Sequence, residues 1–310
     1  MKVVLSETEL NEQLLPKELM VYLVDQKSIS NYAHAEDVIA IVGSRALARK
    51  VNEIDFPNLK LFQLTSAGFD GVPIEAFAQK GIYVANAGST YSIPIAETVV
   101  FGMLLFAKRL RKNPKNRRLK IFRHYKYINE LAGKKALILG AGSIGSNIAK
   151  RLSGFEMVVD GYDLYSGQRN WFDRIISQRS DLIDQIETYD YIISTLPDTE
   201  ATKDFVNNEL LSMMKNTAVV VNVGRKSVLN ESDLYRALKT KKIGGAVLDM
   251  FEKMPNPITN KFRRLNNVIV LPGVAAISQE TNIRLENHIC ENLISINQGD
   301  MPRCIINGVE

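Results

Sequence analysis

The chain has 310 residues with 39 Lys or Arg and 34 Asp or Glu, a formal net charge of +5; that length exceeds the usual single core, so two domains are expected. The N-terminal run reaches Glu7 before an apolar signal region can form, and the longest apolar stretch, Val99 to Ala107, is about half of what a membrane span needs. Cys290 and Cys304 offer neither a disulfide framework nor a clustered metal motif, so a cytoplasmic protein without a membrane or metal partner is expected.

The first ninety residues alternate short β-rich runs with segments of crossover length. Val21-Tyr22-Leu23-Val24, Val38-Ile39-Ala40-Ile41-Val42, Leu59-Lys60-Leu61-Phe62 and Ile82-Tyr83-Val84 read as strands. Such spacing implies a parallel α/β sheet. Ser92 then stands where it can cap a long helix whose apolar stripe is Ala96, Val99, Val100, Met103, Leu104 and Ala107.

The positive charge is not spread evenly. Ten Lys or Arg residues and no acid lie between Lys108 and Lys126, which leaves 29 basic against 34 acidic residues elsewhere. Phe122, Tyr125 and Tyr127 interleave with these charges, so a nucleic-acid patch has to be weighed. An exposed arm serving a subunit contact is the reading carried forward, with nucleic acid not expected as a partner.

The most informative stretch follows. Leu137-Ile138-Leu139 ends an apolar run that reads as a buried strand, and Gly140-Ala141-Gly142-Ser143-Ile144-Gly145 continues it directly into a helix marked by Ile144, Ile148 and Leu152. Met157-Val158-Val159 starts a second strand that ends at Asp163. A strand, a G-x-G-x-x-G turn, a helix and a terminal acid about twenty residues on form the dinucleotide-binding context. The first glycine permits the turn, the second lets a pyrophosphate approach bare backbone, and the third lets helix and strand pack closely. The helix N-terminus attracts the phosphates, and Asp163 can accept hydrogen bonds from a ribose 2′-hydroxyl. A carboxylate there repels a 2′-phosphate, so NAD is expected in preference to its phosphorylated form. Arg169, six residues on, is read as a solvated surface residue.

Tyr191-Ile192-Ile193, Ala218 to Val223, Gly245 to Asp249 and Val268 to Leu271 extend the alternation and imply a second doubly wound sheet. A last helical pattern, about Ser278 to Ile296, follows that sheet and is expected to pack back on the first domain. The expected architecture is therefore α/β with two Rossmann-like or flavodoxin-like domains and parallel sheets. Residues 1–91 and 277–310 form a discontinuous substrate domain, and residues 92–276 an NAD-binding Rossmann domain.

Ser66-Ala67-Gly68-Phe69-Asp70, Gly81-Ile82-Tyr83-Val84-Ala85-Asn86, Ile95-Ala96-Glu97, the glycine motif, Thr195-Leu196-Pro197, Asn222-Val223-Gly224-Arg225, Leu248-Asp249-Met250-Phe251 and Asn267-Val268-Ile269-Val270-Leu271-Pro272 carry a resemblance. In their order and spacing the chain resembles the D-isomer-specific 2-hydroxyacid dehydrogenase family over nearly its whole length. The resemblance implies hydride transfer between NAD(H) and a small 2-hydroxy or 2-keto acid, in a homodimer formed through the nucleotide-binding domains. It implies that Arg225 holds the substrate carboxylate and keto oxygen through its planar fork of donors. Backbone N–H groups near Ser66, Ala67 and Gly68 would also bind the carboxylate. Asp249 would contact the nicotinamide carboxamide, Thr195, Leu196 and Pro197 would line the adenosine pocket, and Val223 would belong to the cofactor site.

The chain also departs from that family. The resemblance places a catalytic histidine directly after the proline of the last strand, paired with a glutamate five residues beyond the aspartate of the preceding strand. Those positions are Gly273 and Met254 here, and the glycine expected after the arginine is Lys226. Keto reduction needs a proton at oxygen, and a positioned general acid contributes about 10²–10⁴-fold. Arg225 cannot supply that proton at neutral pH. Lys226, Glu252 and Tyr91 are the candidate substitutes, and His34, His124 and His288 are read as surface or packing residues. An oxidoreductase with an atypical or impaired general acid is expected; the alternative is an NAD-binding protein that has lost turnover and acts as a sensor or scaffold.

Overall fold

Short runs of β-branched and aliphatic residues build two all-parallel sheets, and because helices cover both faces of such sheets the central strands are apolar on both sides. The computed structural model describes residues 2–109, 128–165, 167–253, 257–271 and 273–308. Contacts divide the chain into two units, Met1–Tyr91 with Ser278–Glu310, and Ser92–Ile277.

In the first unit, β1 (Lys2–Ser6), β2 (Leu19–Leu23), β3 (Val38–Gly43), α1 (Arg45–Val51), β4 (Leu61–Leu64), α2 (Ile74–Gln79) and β5 (Tyr83–Ala85) follow in order. The sheet order is β2-β1-β3-β4-β5, which is the flavodoxin-like winding. All six residues of β3 are buried, as its place at the centre demands. Ser44 starts α1 by accepting the Leu47 N–H at 3.2 Å, which satisfies one of the helix's open donors.

The second unit begins with α3 (Ser92–Ala107) and continues through β6 (Lys135–Leu139), α4 (Ser143–Ser153), β7 (Val158–Tyr162), β8 (Arg174–Ile176), α5 (Arg179–Ile183), β9 (Tyr191–Ser194), α6 (Asn208–Met213), β10 (Val219–Asn222), α7 (Glu231–Lys239), β11 (Gly245–Leu248) and β12 (Val268–Val270). Its order is β12-β11-β10-β9-β6-β7-β8. The winding reverses between β6 and β9, the switch point where such sheets bind ligands at the carboxyl ends of their strands. One face is sealed by Leu137, Leu139, Ile192, Val220, Ala246 and Leu248 against Leu210, Leu234 and Leu238. Each such side chain contributes about 1.5–3 kcal/mol on burial.

The chain then returns to the first unit as α8 (Gln279–Gln298). Ser278 caps its start by accepting the Thr281 N–H at 3.1 Å, and Gly299 ends it at φ 87°, the left-handed geometry that glycine adopts without a Cβ penalty. Ile289, Cys290, Leu293 and Ile296 pack on Val4, Ile39, Ala40 and Leu61. Among these apolar groups Asn292 is fully buried yet satisfied, donating to Gln63 Oε1 at 2.6 Å and to the Arg303 carbonyl at 3.1 Å.

Two strands appear that the sequence pattern did not mark, and two local expectations change. β1 has only Val3, Val4 and Leu5 as its apolar run and gives no periodic signal, yet it is held between β2 and β3. β8 is a three-residue edge strand that pairs only with β7. β4 starts at Leu61 rather than Leu59, because Leu59 closes a turn onto the Phe56 carbonyl at 3.1 Å. Ser92 is the first residue of α3 rather than its cap, with its hydroxyl 2.8 Å from that of Ser143. Apart from Lys108 and Arg109, the basic segment 108–126 lies outside the described residues. Among the described residues no helix is long and apolar enough to cross a membrane.

Candidate functional site

β6 delivers the chain to the glycine turn at the switch point of the seven-stranded sheet. Gly140 has φ 98° and donates its N–H to the Tyr162 carbonyl at 2.8 Å. A side chain there would be strained, and its Cβ would meet Thr195 Oγ1 at 2.7 Å. Gly142 caps α4 without a side chain, in open space, so the helix N-terminus is left bare for an anion. A Cβ on Gly145 would overlap the Gly140 carbonyl oxygen, which is why the third glycine is needed for α4 to pack on the turn. Ala141, Ile148 and Leu152 are buried, while Ser143 is exposed and Ile144 half-buried at the helix start. These residues fit a dinucleotide pyrophosphate: bare backbone, a helix N-terminus and no Cβ in the way.

Asp163 lies one residue beyond β7. Its Oδ2 accepts the Ala141 N–H at 2.9 Å and its Oδ1 accepts the Tyr165 N–H at 3.1 Å. Arg169 is not a free surface residue. Its Nη1 donates to the Ala141 carbonyl at 2.9 Å, and its Nη2 stands 3.7 Å from Asp163 Oδ1. The sequence missed this because six residues of irregular chain carry no periodic signal.

The loops after β9 and β10 close against the same turn. Thr195 Oγ1 donates towards the Leu139 and Gly140 carbonyls, at 3.1 and 2.9 Å. Leu196 is buried in the sheet core and Pro197 is exposed. Val223 is buried, and a Cβ on Gly224 would meet the Leu196 carbonyl oxygen at 3.1 Å. Asn222 Oδ1 accepts the Gly224 N–H at 3.3 Å, which shapes the turn that leads to Arg225. Arg225 is half-buried directly after it and precedes a 3-10 turn, Lys226–Val228.

Asn222 pairs in register with Leu248 of β11, so Asp249 follows on the strand beside the one that leads to Arg225. Asp249 is buried and accepts the Val274 N–H at 2.9 Å. Burial pushes its carboxyl above the ordinary range, while the N–H groups of Val274, Ala275 and Gly273 act in the lowering direction. The carboxylate thus ties down the turn after β12, where Gly273 has φ 75°. Met254 lies outside the described residues.

Of the candidate proton donors, Lys226 directs its Nζ to the Glu252 carbonyl at 3.4 Å. The Glu252 N–H donates to Glu231 Oε1 at 2.5 Å. Glu231, a buried acid whose carboxyl is raised by burial, was invisible in the sequence because it reads as an ordinary first-turn helix residue. The two contacts clamp one residue of the β11 loop to the segment that follows Arg225. In the first unit, the Tyr91 hydroxyl donates to the Thr65 carbonyl at 2.5 Å, and burial raises its pKa. His288 Nε2 lies 2.9 Å from the Asn86 carbonyl. His124 lies outside the described residues.

Ser66, Ala67 and Gly68 form the turn after β4 and are half-buried. Their carbonyls are engaged by protein donors: Ser66 O by the Ala87 N–H at 3.1 Å, Ala67 O by Asn86 Nδ2 at 2.8 Å and Gly68 O by Ser66 Oγ at 2.7 Å.

Comparison with known proteins agrees with this arrangement. Residues 100–275 match the family model described as D-isomer specific 2-hydroxyacid dehydrogenase, NAD binding domain. A glyoxylate reductase of Thermofilum pendens is 32% identical over 259 residues, 81% of this chain and 76% of that protein. A D-3-phosphoglycerate dehydrogenase of Methanocaldococcus jannaschii is 30% identical over 279 residues, 87% of this chain and 52% of that protein. Among solved structures, a D-isomer specific 2-hydroxyacid dehydrogenase family protein from Aeromonas salmonicida superposes with a TM-score of 0.81 at 26% identity, covering 99% of each chain.

Proposed function

This chain belongs to the D-isomer specific 2-hydroxyacid dehydrogenase family, and from that premise we propose that it interconverts a small 2-keto acid and the corresponding 2-hydroxy acid. The observation that carries this reading is the pairing of Arg225, one strand end from Asp249, with the glycine turn and Asp163 on the same sheet. NAD(H), when bound, supplies or accepts the hydride.

The rest falls to the protein's own groups. Gly140, Ala141, Gly142, Ser143, Ile144 and Gly145 form the turn that holds the pyrophosphate at the start of α4, and Asp163 takes the adenosine ribose. Thr195, Leu196, Pro197 and Val223 form the wall between them and the nicotinamide end, where Asp249 fixes the turn at Gly273. Arg225 binds the substrate carboxylate through two parallel N–H donors and polarises the keto oxygen. In the first unit, the turn at Ser66, Ala67 and Gly68 is a carboxylate-binding element through its N–H groups, since its carbonyls are already taken.

The general acid is atypical. A permanently charged guanidinium cannot give up its proton, the Tyr91 proton is engaged by Thr65, and Gly273 has no side chain. Lys226 is the donor closest in sequence to Arg225. It supplies the proton at the cost of releasing the Glu252 carbonyl. Gly273 also favours a second reading, a cofactor-binding protein without turnover, because its left-handed backbone suits glycine and not a histidine. The relatives named glyoxylate reductase support glyoxylate as the first substrate to try. NADH consumption over a panel of 2-keto acids tests the proposal: oxidation with none of them, in the presence of normal NADH binding, leaves the second reading.

The chain acts as a homodimer through its second unit. α3 supports this by leaving Ile93 and Phe101 exposed, the latter at 55% of its area, an apolar surface of the kind that subunit contacts cover.

A further inference from the structure

Arg169 and Asp163 grip the two backbone polar groups of one residue, Ala141. The carboxylate accepts the Ala141 N–H at 2.9 Å while the guanidinium donates to the Ala141 carbonyl at 2.9 Å, so both charges stand at the glycine turn where the adenosine ribose is expected. An acid alone at this place repels a 2′-phosphate; an adjacent arginine accommodates it.

The attachments of Arg169 are ones it can leave cheaply. Its Nη2 is 3.7 Å from Asp163 Oδ1 in a pair whose arginine side chain is 32% exposed, and partly exposed ion pairs of that length contribute little. The Ala141 carbonyl keeps a second donor, Ser146 Oγ at 3.2 Å, so no orphan acceptor is left behind. Asp163 keeps the N–H groups of Ala141 and Tyr165, which hold its charge without the arginine. The segment that carries Arg169 is itself anchored: the Phe172 N–H donates to the Arg169 carbonyl at 3.3 Å, and Trp171, two residues beyond the arginine, lies under Lys150 of α4 at 5.6 Å. The guanidinium can therefore turn on a fixed base from the Ala141 carbonyl to an incoming anion, to which its planar fork is better matched.

We propose that the ribose end of this site accepts a 2′-phosphate as well as a free 2′-hydroxyl, and that Arg169 is the residue that admits the phosphate. Asp163 then serves the unphosphorylated ribose and Arg169 the phosphorylated one, so NADPH enters beside NADH. This rests on the dinucleotide-binding reading above and concerns only which form enters.

Calorimetric titration of the full chain with NADH and with NADPH tests it without any turnover. NADPH is expected to bind within about tenfold of NADH. Arg169→Ala should weaken NADPH by about 10- to 100-fold, the loss of one charge-assisted contact, while NADH stays within about threefold; Arg169→Gln should do the same and guards against a folding defect in the first variant. Raising the salt should weaken NADPH more than NADH. Wild-type NADPH binding more than about 100-fold weaker than NADH, or an equal loss of both cofactors in the two variants, overturns the proposal while leaving NAD binding intact. Failure of both cofactors to bind the wild type instead removes the dinucleotide reading, and this inference with it.

Discussion

The carboxylate of Asp163 accepts the Ala141 N–H at 2.9 Å, so the acid at the end of β7 is tied directly to the glycine turn at the end of β6. The side chain that shapes the turn is thus the one proposed to hold the ribose. Asp163→Ala is expected to weaken NADH binding by about 10- to 100-fold, since a hydrogen bond to a charged group is worth about 1.5–3 kcal/mol. Titration of NADH fluorescence measures it; unchanged affinity would remove Asp163 from the cofactor site.

Arg225 is expected to act on the acid substrate and not on the cofactor. Arg225→Lys keeps the charge but loses the planar fork, so kcat/KM for a 2-keto acid should fall about 100-fold, and Arg225→Ala further. NADH affinity should not move. A parallel loss of NADH binding in Arg225→Lys would show that the residue serves the cofactor instead.

Asp249 carries a pH signature. Burial raises its carboxyl above the ordinary range, so the folded chain holds that proton more tightly than the unfolded chain. Its contribution favours folding most below the unfolded value of about 3.9 and fades as the pH rises through the folded value. Asp249→Asn removes the buried charge, and its Tm relative to wild type should be higher at pH 8 than at pH 4 by about 2–4 °C. The same difference at both pH values would mean that ionisation is not the cause.

Restoring a histidine and its carboxylate tests the missing acid. Met254→Glu with Gly273→His should exceed either single change, because the glutamate acts only through the histidine. The φ of 75° at Gly273 strains any side chain there by about 1–3 kcal/mol, so the gain in kcat should fall short of the 10²–10⁴-fold, roughly, that a general acid contributes. Wild-type turnover of many per second on a simple 2-keto acid would show that another group, Lys226 first, already supplies the proton.

The basic segment 108–126 is expected to serve a subunit contact and not a nucleic acid. Sedimentation of the intact protein should show a two-chain species, and Phe101→Glu should shift it towards one chain by burying a charge in the contact. A single-chain species that binds DNA or RNA, with affinity falling steeply in salt, would favour the nucleic-acid reading of the segment instead.

Much of the fold was written in local pattern. The runs at Val38, Tyr191, Val219 and Gly245 are continuous and apolar because their strands are covered on both faces, and the glycine turn is legible because each of its three glycines answers a separate steric demand within a few residues. Arg225 and Asp249 were legible through their places directly after such strands. Two strands were not: β8 is a three-residue edge strand, and β1 is strand because of its neighbours rather than its own composition.

The sequence by itself determined that there would be two parallel α/β sheets, a G-x-G-x-x-G turn followed at strand distance by Asp163, and no histidine after the last strand, because spacing, glycine and residue identity are one-dimensional properties. What only the tertiary structure decided is where charged groups spend their hydrogen bonds. Arg169 reaches back 28 residues to the Ala141 carbonyl, Glu231 is buried against the Glu252 N–H, and Asp249 is committed to a turn 25 residues on. A charged side chain's partner is set by proximity in space and by which backbone groups the fold leaves open, and no spacing along the chain encodes either.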